Sequence, residues 1–432
     1  MAAVLSMQEL VRNYARQDPS LGPAYRPRSL EELGVRQSVV EDLALKTLYL
    51  SGVISEAELA RKLGIGYDVM EEITARLRSE MLCQVTGMSG NVPLVGVSDK
   101  GRTRAIELLG HNSYTGAAPV SFESYVEQVK KQTIRNVSVH AADVERAFAH
   151  LVIDPDMLAH FGTALNSGSS VLLYGPAGTG KTTIAEVLSR VIAEDPVWIP
   201  FALEIDGQIV TIFDRAIHKQ APPEETPPDH DGRWVHCERP AVMVGGELTA
   251  EMLDMQFNPI TKFYVAPLQM KANNGVLIID DFGRQRIRPE ELMNRWIVPL
   301  DRRIDFLSFS GGKKIEVPFE MLVVFASNLD PKDLVDPAFL RRMQTKIRIG
   351  ATTPEQFAEI FRRVAKNQNV RYDPDIPHIL AEFIQVQLNQ ELRSCFPRDI
   401  VNQVCWAARY EDREPYIDRN ALQRAVEAYF SI

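Results

Sequence analysis

The chain has 432 residues, 45% hydrophobic and 24% charged, a composition that is typical of a soluble globular protein and excludes global disorder. It carries 48 Lys and Arg against 57 Asp and Glu, which gives a net charge of −9. So acidic a chain does not bind polyphosphate over its whole surface, and contact with nucleic acid would require a local basic patch.

The cysteines and the hydropathy indicate a cytoplasmic protein. Cys83, Cys237, Cys395 and Cys405 include no C-x-x-C pair, which argues against a disulfide framework and against a zinc site. No apolar run reaches the ~18 residues of a membrane helix, and the N-terminus lacks the basic segment of a secretion signal. We therefore expect reduced thiols, a cytoplasmic location and no membrane insertion.

The first 110 residues divide into a tail and a small domain. Residues 1–37 are polar and rich in proline, which predicts a flexible tail with a short helix at most. In residues 38–110, S-x-x-E capping boxes at Ser38 and Ser55 begin two helices, and a third helix follows a glycine-containing turn. Two strand-like segments around Ser89–Asn91 and a last helix complete a pattern that resembles a winged helix-turn-helix domain.

The charge of this small domain favours a protein partner over DNA. Residues 38–110 contain 8 Lys and Arg against 10 Asp and Glu. The third helix begins with Asp68, Glu71 and Glu72, at the end that faces the DNA groove in a helix-turn-helix. Carboxylates there would meet phosphate and weaken binding. We expect the domain to bind a protein client, and DNA binding stays as the alternative.

Three regions follow the small domain. Residues 111–134 are predicted to be a linker. Residues 135–350 alternate strand-like and helical segments, which predicts an α/β core with a parallel sheet and flanking helices, and residues 351–432 are predicted to be helical. Residues 205–268 are longer than a minimal core needs, with a proline-rich surface insertion and a predicted helix through Leu248, Met252 and Met255.

A phosphate-binding loop follows the apolar segment Val171–Tyr174. The pattern G-x-x-x-x-G-K-[ST] and the next residue comprise Gly175, Pro176, Ala177, Gly178, Thr179, Gly180, Lys181, Thr182 and Thr183. Its glycines let backbone N–H groups face phosphates, and the following helix adds the positive end of its dipole. Lys181 would contact the β- and γ-phosphates of ATP, and the Thr182 hydroxyl would ligate Mg²⁺.

Two carboxylates follow a second apolar strand. Val276–Ile279 ends at Asp280 and Asp281. Asp280 is predicted to hold Mg²⁺ through water, and Asp281 to orient or deprotonate the attacking water. Together with the loop, these acids predict a site for ATP and Mg²⁺.

These motifs and those after them resemble the AAA+ family of ATPases over residues 135–432. Leu322–Asn328 resembles the sensor-1 strand, Asp336–Arg342 resembles the segment that carries arginine fingers, and Phe396–Asp399 resembles the sensor-2 motif. The resemblance implies a P-loop NTPase core followed by a helical lid. The order of the motifs along one chain is more specific than any single motif.

The resemblance also implies roles for four further residues. Asn328 would place the lytic water, Arg341 or Arg342 would stabilise the transferred γ-phosphoryl group of a neighbouring subunit, and Arg398 would contact the phosphates from the lid. The family's usual second acid is Glu, whereas this chain has Asp281. Its side chain is one methylene shorter, so hydrolysis could be slow.

A predicted hairpin indicates which group of AAA+ proteins the chain resembles. Arg303–Ser310 and Lys313–Pro318 flank Gly311–Gly312, which predicts two strands joined by a two-residue turn. The hairpin resembles the pre-sensor-1 hairpin of MoxR-type remodellers and related AAA+ proteins, whose members typically form ring hexamers. No aromatic-hydrophobic-glycine pore motif is evident, and the basic run Gly283–Arg288 is predicted to be a solvated face.

The sequence thus predicts an ATPase with ATP and Mg²⁺ as cofactors, which assembles into a ring and remodels or assembles a protein client in the manner of a chaperone. Two alternatives stay open. One is a DNA-acting ATPase that uses the winged helix on duplex DNA. The other is an assembly switch that hydrolyses ATP slowly.

Overall fold

A five-stranded parallel sheet lies at the centre of the chain. The computed structural model describes residues 26–227, 229–334 and 336–431. In spatial order the strands of this central sheet are Ala241–Val244, Val276–Ile279, Leu322–Ser327, Ser170–Tyr174 and Thr345–Arg348. The three middle strands are almost wholly buried, as expected for a parallel sheet covered on both faces. The predicted α/β fold with a parallel sheet and flanking helices is confirmed.

Alternate residues of the strands pack into two hydrophobic clusters, because side chains on a strand point to opposite faces in turn. Val171 and Leu173 pack with Leu188 on one face, and Leu172 packs with Trp296 on the other. The longer helices around the sheet are Ala141–Phe148, Pro155–Ser167, Lys181–Ala193, Pro289–Arg295 and Ile297–Arg302. Short helices are Ile134–Asn136, Leu268–Lys271, Pro331–Leu334 and Pro337–Leu340.

A second five-stranded sheet is built mainly from the long stretch before Val276. In spatial order its strands are Gln256–Phe257, Tyr264–Val265, Gln208–Thr211, Ala202–Ile205 and Val120–Ser121. Asp206 and Gly207 join two of them with φ of +51° and +84°, as a type I′ hairpin turn requires. Beside it, Val197–Pro200 pairs antiparallel with Trp234–Cys237.

The helix predicted through Leu248, Met252 and Met255 is wrong. The chain forms a short 3₁₀ turn, Ala250–Leu253, and then the strand Gln256–Phe257. That strand pairs antiparallel with Tyr264–Val265. Sheet pairing therefore overrides the local helical spacing of the apolar residues, as tertiary contacts often do.

Residues 111–134 are not a linker. Val120–Ser121 pairs with the second sheet, and the helix Phe122–Lys131 follows it directly. Tyr125 and Val129 are buried on that helix, against residues of the second sheet. The aromatic residues of this region are core residues, which a linker does not supply.

The N-terminal region combines helices with a three-stranded antiparallel sheet. Its helices are Gln37–Ser51, Glu56–Leu63, Tyr67–Ser79 and Asp99–His111. Its strands are Ile54–Ser55, Cys83–Ser89 and Val92–Val97. The predicted cap at Ser55 is confirmed, since its hydroxyl accepts from the Glu58 N–H. The predicted capping box at Ser38 is wrong, because the first helix begins at Gln37, after Arg36 and without a side-chain cap, so that Ser38 lies inside it.

The N-terminal region is attached firmly to the second sheet. Leu30 and Leu33 are buried, so residues 26–37 are not the flexible tail that the sequence predicts. The rest of that tail, residues 1–25, lies outside the described residues, as does its predicted helix. Arg233, itself in a buried ion pair with Asp231, donates to the carbonyls of Leu33 and Pro119. These contacts link three segments that are distant in sequence.

The predicted hairpin is present, with a longer loop than expected. Ile304–Ser308 pairs antiparallel with Lys314–Pro318. The Phe309 N–H donates to the Lys313 carbonyl, so three residues rather than two turn the chain, and Gly312 has a φ of +80°. Leu307, Phe309, Ile315 and Val317 are buried in the cluster that also holds the second sheet.

The C-terminal region is helical, as predicted, and has its own buried cluster. Its helices are Pro354–Asn367, Ile376–Glu382, Cys395–Tyr410 and Arg419–Phe430, with a π-helical turn over Phe383–Gln387. Arg371–Tyr372 and Tyr416–Ile417 form a short parallel pair. Across the described parts of the chain, no helix combines the length and the apolar character needed to cross a membrane.

Candidate nucleotide-binding site

The glycine-rich loop joins the strand Ser170–Tyr174 to the helix Lys181–Ala193 at the carboxyl edge of the central sheet. Gly175, Gly178 and Gly180 have φ of +142°, +80° and +93°, a region that side chains rarely adopt. A Cβ at Gly175 would lie 2.2 Å from the Ile349 carbonyl oxygen. The backbone path of this loop therefore requires glycine at these positions.

Lys181 lies inside the loop, with only 7% of its surface exposed. Its Nζ donates to the carbonyl oxygens of Gly175 at 2.9 Å and Pro176 at 2.7 Å. Burial lowers the pKa of Lys181, while the charges of Asp281 and Asp280 oppose that shift. The loop thus holds a cation at its centre, near two carboxylates.

Thr182 and Asp280 meet across the edge of the sheet although 98 residues separate them. The Thr182 hydroxyl donates to the carboxylate of Asp280, with oxygen–oxygen distances of 2.9 and 3.1 Å. The Asp280 N–H donates to the Val244 carbonyl, which ties the acid to the neighbouring strand. A hydroxyl and a carboxylate are oxygen ligands of the kind that Mg²⁺ prefers, so this pair fits the predicted metal.

Asp281 and Asn328 also meet, at the ends of adjacent strands. Asn328 Nδ2 donates to Asp281 Oδ1 at 2.8 Å. Asp281 has a φ of +48°, in the left-handed region that Asp tolerates better than most residues. Phe282, the next residue, donates a hydrogen bond from its N–H to the Ala326 carbonyl at 2.7 Å. The second acid and the predicted sensor-1 residue thus form one polar pair.

The start of the helix Cys395–Tyr410 lies against the glycine-rich loop. The Cys395 N–H and the Ser394 hydroxyl both donate to the Gly178 carbonyl, at 3.1 and 3.2 Å. Cys395 Sγ would lie 2.6 Å from a Cβ at Gly178. The C-terminal helices therefore cover one side of the predicted phosphate-binding loop.

The side chain of Arg393 lies beside Gly178 at this junction. Its Cδ would lie 3.6 Å from a Cβ at Gly178, and its guanidinium lies over the Phe396 ring at 5.6 Å. Its Nε is buried and has no hydrogen-bond partner among the described residues. Nothing in the sequence marks Arg393 as a site residue, because it belongs to no motif of the resembled family.

Arg398, predicted to contact phosphates, lies in the first turn of the same helix. Its Nε donates to Asp399 Oδ1 at 3.0 Å, and 64% of its side chain is exposed. Asp399 also accepts from the Tyr429 hydroxyl at 2.9 Å. The structure therefore shows Arg398 in an ion pair on the helix surface.

The two predicted finger residues differ in their surroundings. Arg341 is exposed, just after the short helix Pro337–Leu340. Arg342 donates from Nε to Asp301 at 2.9 Å, and its guanidinium lies over the Phe339 ring at 5.9 Å. Arg342 is thus held within its own chain, whereas Arg341 faces solvent.

Gln285 is a second residue near the acids that no sequence motif marks. Its side-chain amide bonds to the backbone on both sides of Asp281, at the Asp280 carbonyl and at the Gly283 N–H. In the sequence it stands inside a basic run, where nothing distinguishes it from a solvated polar residue. No group of three or more His, Cys, Asp or Glu in the described parts of the chain is arranged to hold a metal ion.

Comparisons with known proteins give a partial family match and distant structural similarity. A domain of unknown function (DUF8689) matches residues 353–428, which include most of the C-terminal helices. No characterised protein matches the sequence. The structure is similar to the RuvB Holliday junction branch migration motor of Thermotoga maritima, at 16% identity and a TM-score of 0.36, covering 71% of each chain. It is also similar to NtrX from Brucella abortus in complex with ADP, at 13% identity and a TM-score of 0.39, covering 61% of this chain and 51% of that one.

Proposed function

We propose that the chain is an AAA+ ATPase that binds ATP and Mg²⁺ at the edge of the central sheet. The observation that carries this proposal is the contact between Thr182 and Asp280, which joins the glycine-rich loop to the acid pair at 2.9 Å. The fold supports it as well, since ligands of open parallel sheets bind at the carboxyl ends of the strands.

The residues of the site would divide the work as follows. Lys181, now bonded to two loop carbonyls, would transfer its hydrogen bonds to phosphate oxygens. Thr182 and Asp280 would hold Mg²⁺, which neutralises phosphate charge when it is bound. Asp281 and Asn328 together would orient the attacking water, with Asp281 as the base. The 2.8 Å hydrogen bond between the two side chains supports a shared role.

A ring of subunits follows from the same proposal. Phosphoryl transfer requires a cation that stabilises charge on the γ-phosphoryl group, and arginine fingers supply it in cis or in trans. Arg341 is exposed and is held by no ion pair among the described residues, so it is free to reach a neighbouring subunit. We infer a ring oligomer, with a hexamer as the expected size from the resemblance to AAA+ proteins.

The N-terminal region would bind a protein client rather than duplex DNA. In a helix-turn-helix, the N-terminal end of the third helix must enter the groove. Here the turn before the helix Tyr67–Ser79 lies against the rest of the chain. A Cβ at Gly64 would be 2.3 Å from the Gly232 carbonyl oxygen, and one at Gly66 would be 3.2 Å from the Pro27 carbonyl oxygen. The turn is thus covered by the chain, while the exposed start of the helix carries Asp68, Glu71 and Glu72, whose charge opposes phosphate. Both features support a protein partner.

ATP-dependent thermal stabilisation tests the proposal directly. A ligand that binds only the folded state raises the melting temperature. ATP with Mg²⁺ should stabilise the wild type, and Lys181→Ala should abolish that shift. Lys366→Ala, at an exposed position in the helix Pro354–Asn367, is the matched control and should keep the shift. Equal stabilisation of the Lys181→Ala variant and the wild type would overturn the nucleotide assignment.

A further inference from the structure

The segment after the acid pair has two sides. Arg284, Arg286 and Arg288 are exposed, whereas Ile287 is 5% exposed and Gln285 is only partly exposed. The basic residues therefore face solvent in alternation, and the two residues between them turn inward. Ile287 packs into the cluster beneath the sheet. Gln285 is polar and points inward, so its amide needs hydrogen-bond partners within the protein.

The Gln285 amide closes the turn that carries both acids. Its Nε2 donates to the Asp280 carbonyl at 2.8 Å, and its Oε1 accepts from the Gly283 N–H at 2.8 Å. Both groups of the side chain are used, and both partners are main-chain atoms. Asp281 and Phe282 lie between the two anchored positions. The side chain thus spans the part of the backbone that determines where the carboxylate of Asp281 points.

The other side of the same turn is fixed by the neighbouring strand. The Phe282 N–H donates to the Ala326 carbonyl at 2.7 Å, and the Ser327 hydroxyl donates to the Phe282 carbonyl at 2.6 Å. Asp281 lies between these bonds and those of Gln285, with a φ of +48° that costs free energy for any residue other than glycine. A conformation of this kind persists only where the surroundings hold it, and Gln285 is the side chain that does so from the basic segment.

We propose that Gln285 is a positioning residue, which sets the direction of the Asp280 and Asp281 carboxylates without touching ATP. This inference rests on the proposed ATPase function. A displacement of a catalytic group by about 1 Å can cost on the order of a hundredfold in rate. Loss of Gln285 should therefore lower kcat by roughly 10- to 100-fold. ATP affinity should change less than kcat, because Lys181 and the glycine-rich loop, which would hold the phosphates, make no bond to Gln285 among the described residues.

Two substitutions separate the hydrogen bonds from the volume of the side chain. Gln285→Met keeps the length and removes both bonds, so kcat should fall while the ATP-dependent thermal shift stays near that of the wild type. Gln285→Glu keeps the acceptor for the Gly283 N–H. It donates to the Asp280 carbonyl only while the introduced carboxyl is protonated. Arg284→Met is the control, since it changes an exposed neighbour and leaves both bonds intact.

The split between turnover and ATP binding is the decisive measurement. Phosphate release gives kcat and KM, and the thermal shift with ATP reports binding. Gln285→Met should lower kcat by roughly 10- to 100-fold and change the KM for ATP much less. Gln285→Glu should be slow as well, because its carboxylate cannot donate to the Asp280 carbonyl.

The outcomes distinguish this inference from the function on which it rests. An active wild type with an unaffected Gln285→Met variant, or a Gln285→Met variant whose loss lies in ATP binding rather than in kcat, overturns the role of Gln285 alone. A wild type that binds no ATP overturns the proposed function and this inference with it. If Gln285→Met does not fold, the kcat and KM of Gln285→Glu still decide, because that variant also loses the bond to the Asp280 carbonyl.

Discussion

Asn328 donates a hydrogen bond to Asp281 at 2.8 Å, although 47 residues separate them in the chain. The two residues end adjacent strands of the central sheet, Leu322–Ser327 and Val276–Ile279. The bond holds an acid that is one methylene shorter than the usual glutamate. An amide from the neighbouring strand therefore fixes this shorter side chain in one direction, and the two residues are expected to act as a unit.

That coupling predicts non-additive effects on turnover. Asp281→Asn should keep the ATP-dependent thermal shift and lower kcat by on the order of 10² or more, the usual contribution of a general base. Asn328→Ala should also lower kcat, because the acid loses its orientation. The double variant should be scarcely slower than Asp281→Asn, since residues that act together are not additive.

The measurement is a double-mutant cycle. Steady-state phosphate release gives kcat for the wild type, the two single variants and the double variant. If the effects simply multiply, Asn328 and Asp281 act independently and their hydrogen bond has no catalytic role.

The sequence predicted the elements of the site better than the elements around it. Apolar strands followed by polar residues locate Thr182, Asp280 and Asn328, because parallel strands end at one edge of a sheet. The second sheet was missed since its strands have two to four residues, too short for a hydrophobic period. Val120–Ser121 pairs with Leu203–Glu204, and local sequence carries no signal for such a distant partner.

The contact between Arg393 and the glycine-rich loop predicts which lid arginine matters for binding. Arg393 has a buried Nε without a partner among the described residues, beside Gly178, whereas Arg398 is exposed and paired with Asp399. We expect its guanidinium, which lies over Phe396 and makes no hydrogen bond among the described residues, to donate to a bound nucleotide. Hydrogen bonds that involve a charged group are worth about 1.5–3 kcal/mol, so Arg393→Met should weaken ATP binding by roughly 10- to 100-fold.

Arg398→Met is the matched variant on the same helix, and it should weaken ATP binding less. Titration of a fluorescent ATP analogue gives both dissociation constants under one set of conditions. A larger loss for Arg398→Met than for Arg393→Met would restore the assignment that the family resemblance implies.

The buried turn before the helix Tyr67–Ser79 predicts weak binding to DNA. The N-terminal end of that helix carries the exposed residues Asp68, Glu71 and Glu72. The turn before the helix packs against the rest of the chain at Gly64 and Gly66. Fluorescence anisotropy with labelled duplex DNA should show at most non-specific binding, which disappears at physiological salt because it depends on counterion release.

The matched variant for this measurement is Gly64→Ala. A Cβ at that position would lie 2.3 Å from the Gly232 carbonyl oxygen, so the substitution should loosen the N-terminal region from the second sheet. Sub-micromolar, sequence-dependent binding by the wild type at physiological salt would favour the DNA-acting alternative. Tight binding by the variant alone would show that docking hides a DNA-binding surface.

The different surroundings of Arg341 and Arg342 predict which of them acts across a subunit boundary. Arg342 is bonded to Asp301 and lies over Phe339, so it is committed to its own subunit. Arg341 is exposed and therefore free to approach a neighbour. Arg341→Ala should still bind ATP through an intact loop, but turnover should fall by about 10³-fold or more, because the γ-phosphoryl charge loses its cation.

Mixing two inactive variants tests this assignment in full. Lys181→Ala cannot bind ATP, yet it offers a sound Arg341 to its neighbour, whereas Arg341→Ala has the reverse defect. A mixed ring therefore contains some interfaces that pair a sound loop with a sound finger, and phosphate release should pass through a maximum as the mixing ratio varies. Arg342→Ala mixed with Lys181→Ala serves as the comparison, and its own activity should be reduced less. If mass analysis shows mixed rings and the mixture stays as inactive as its parts, Arg341 does not act in trans.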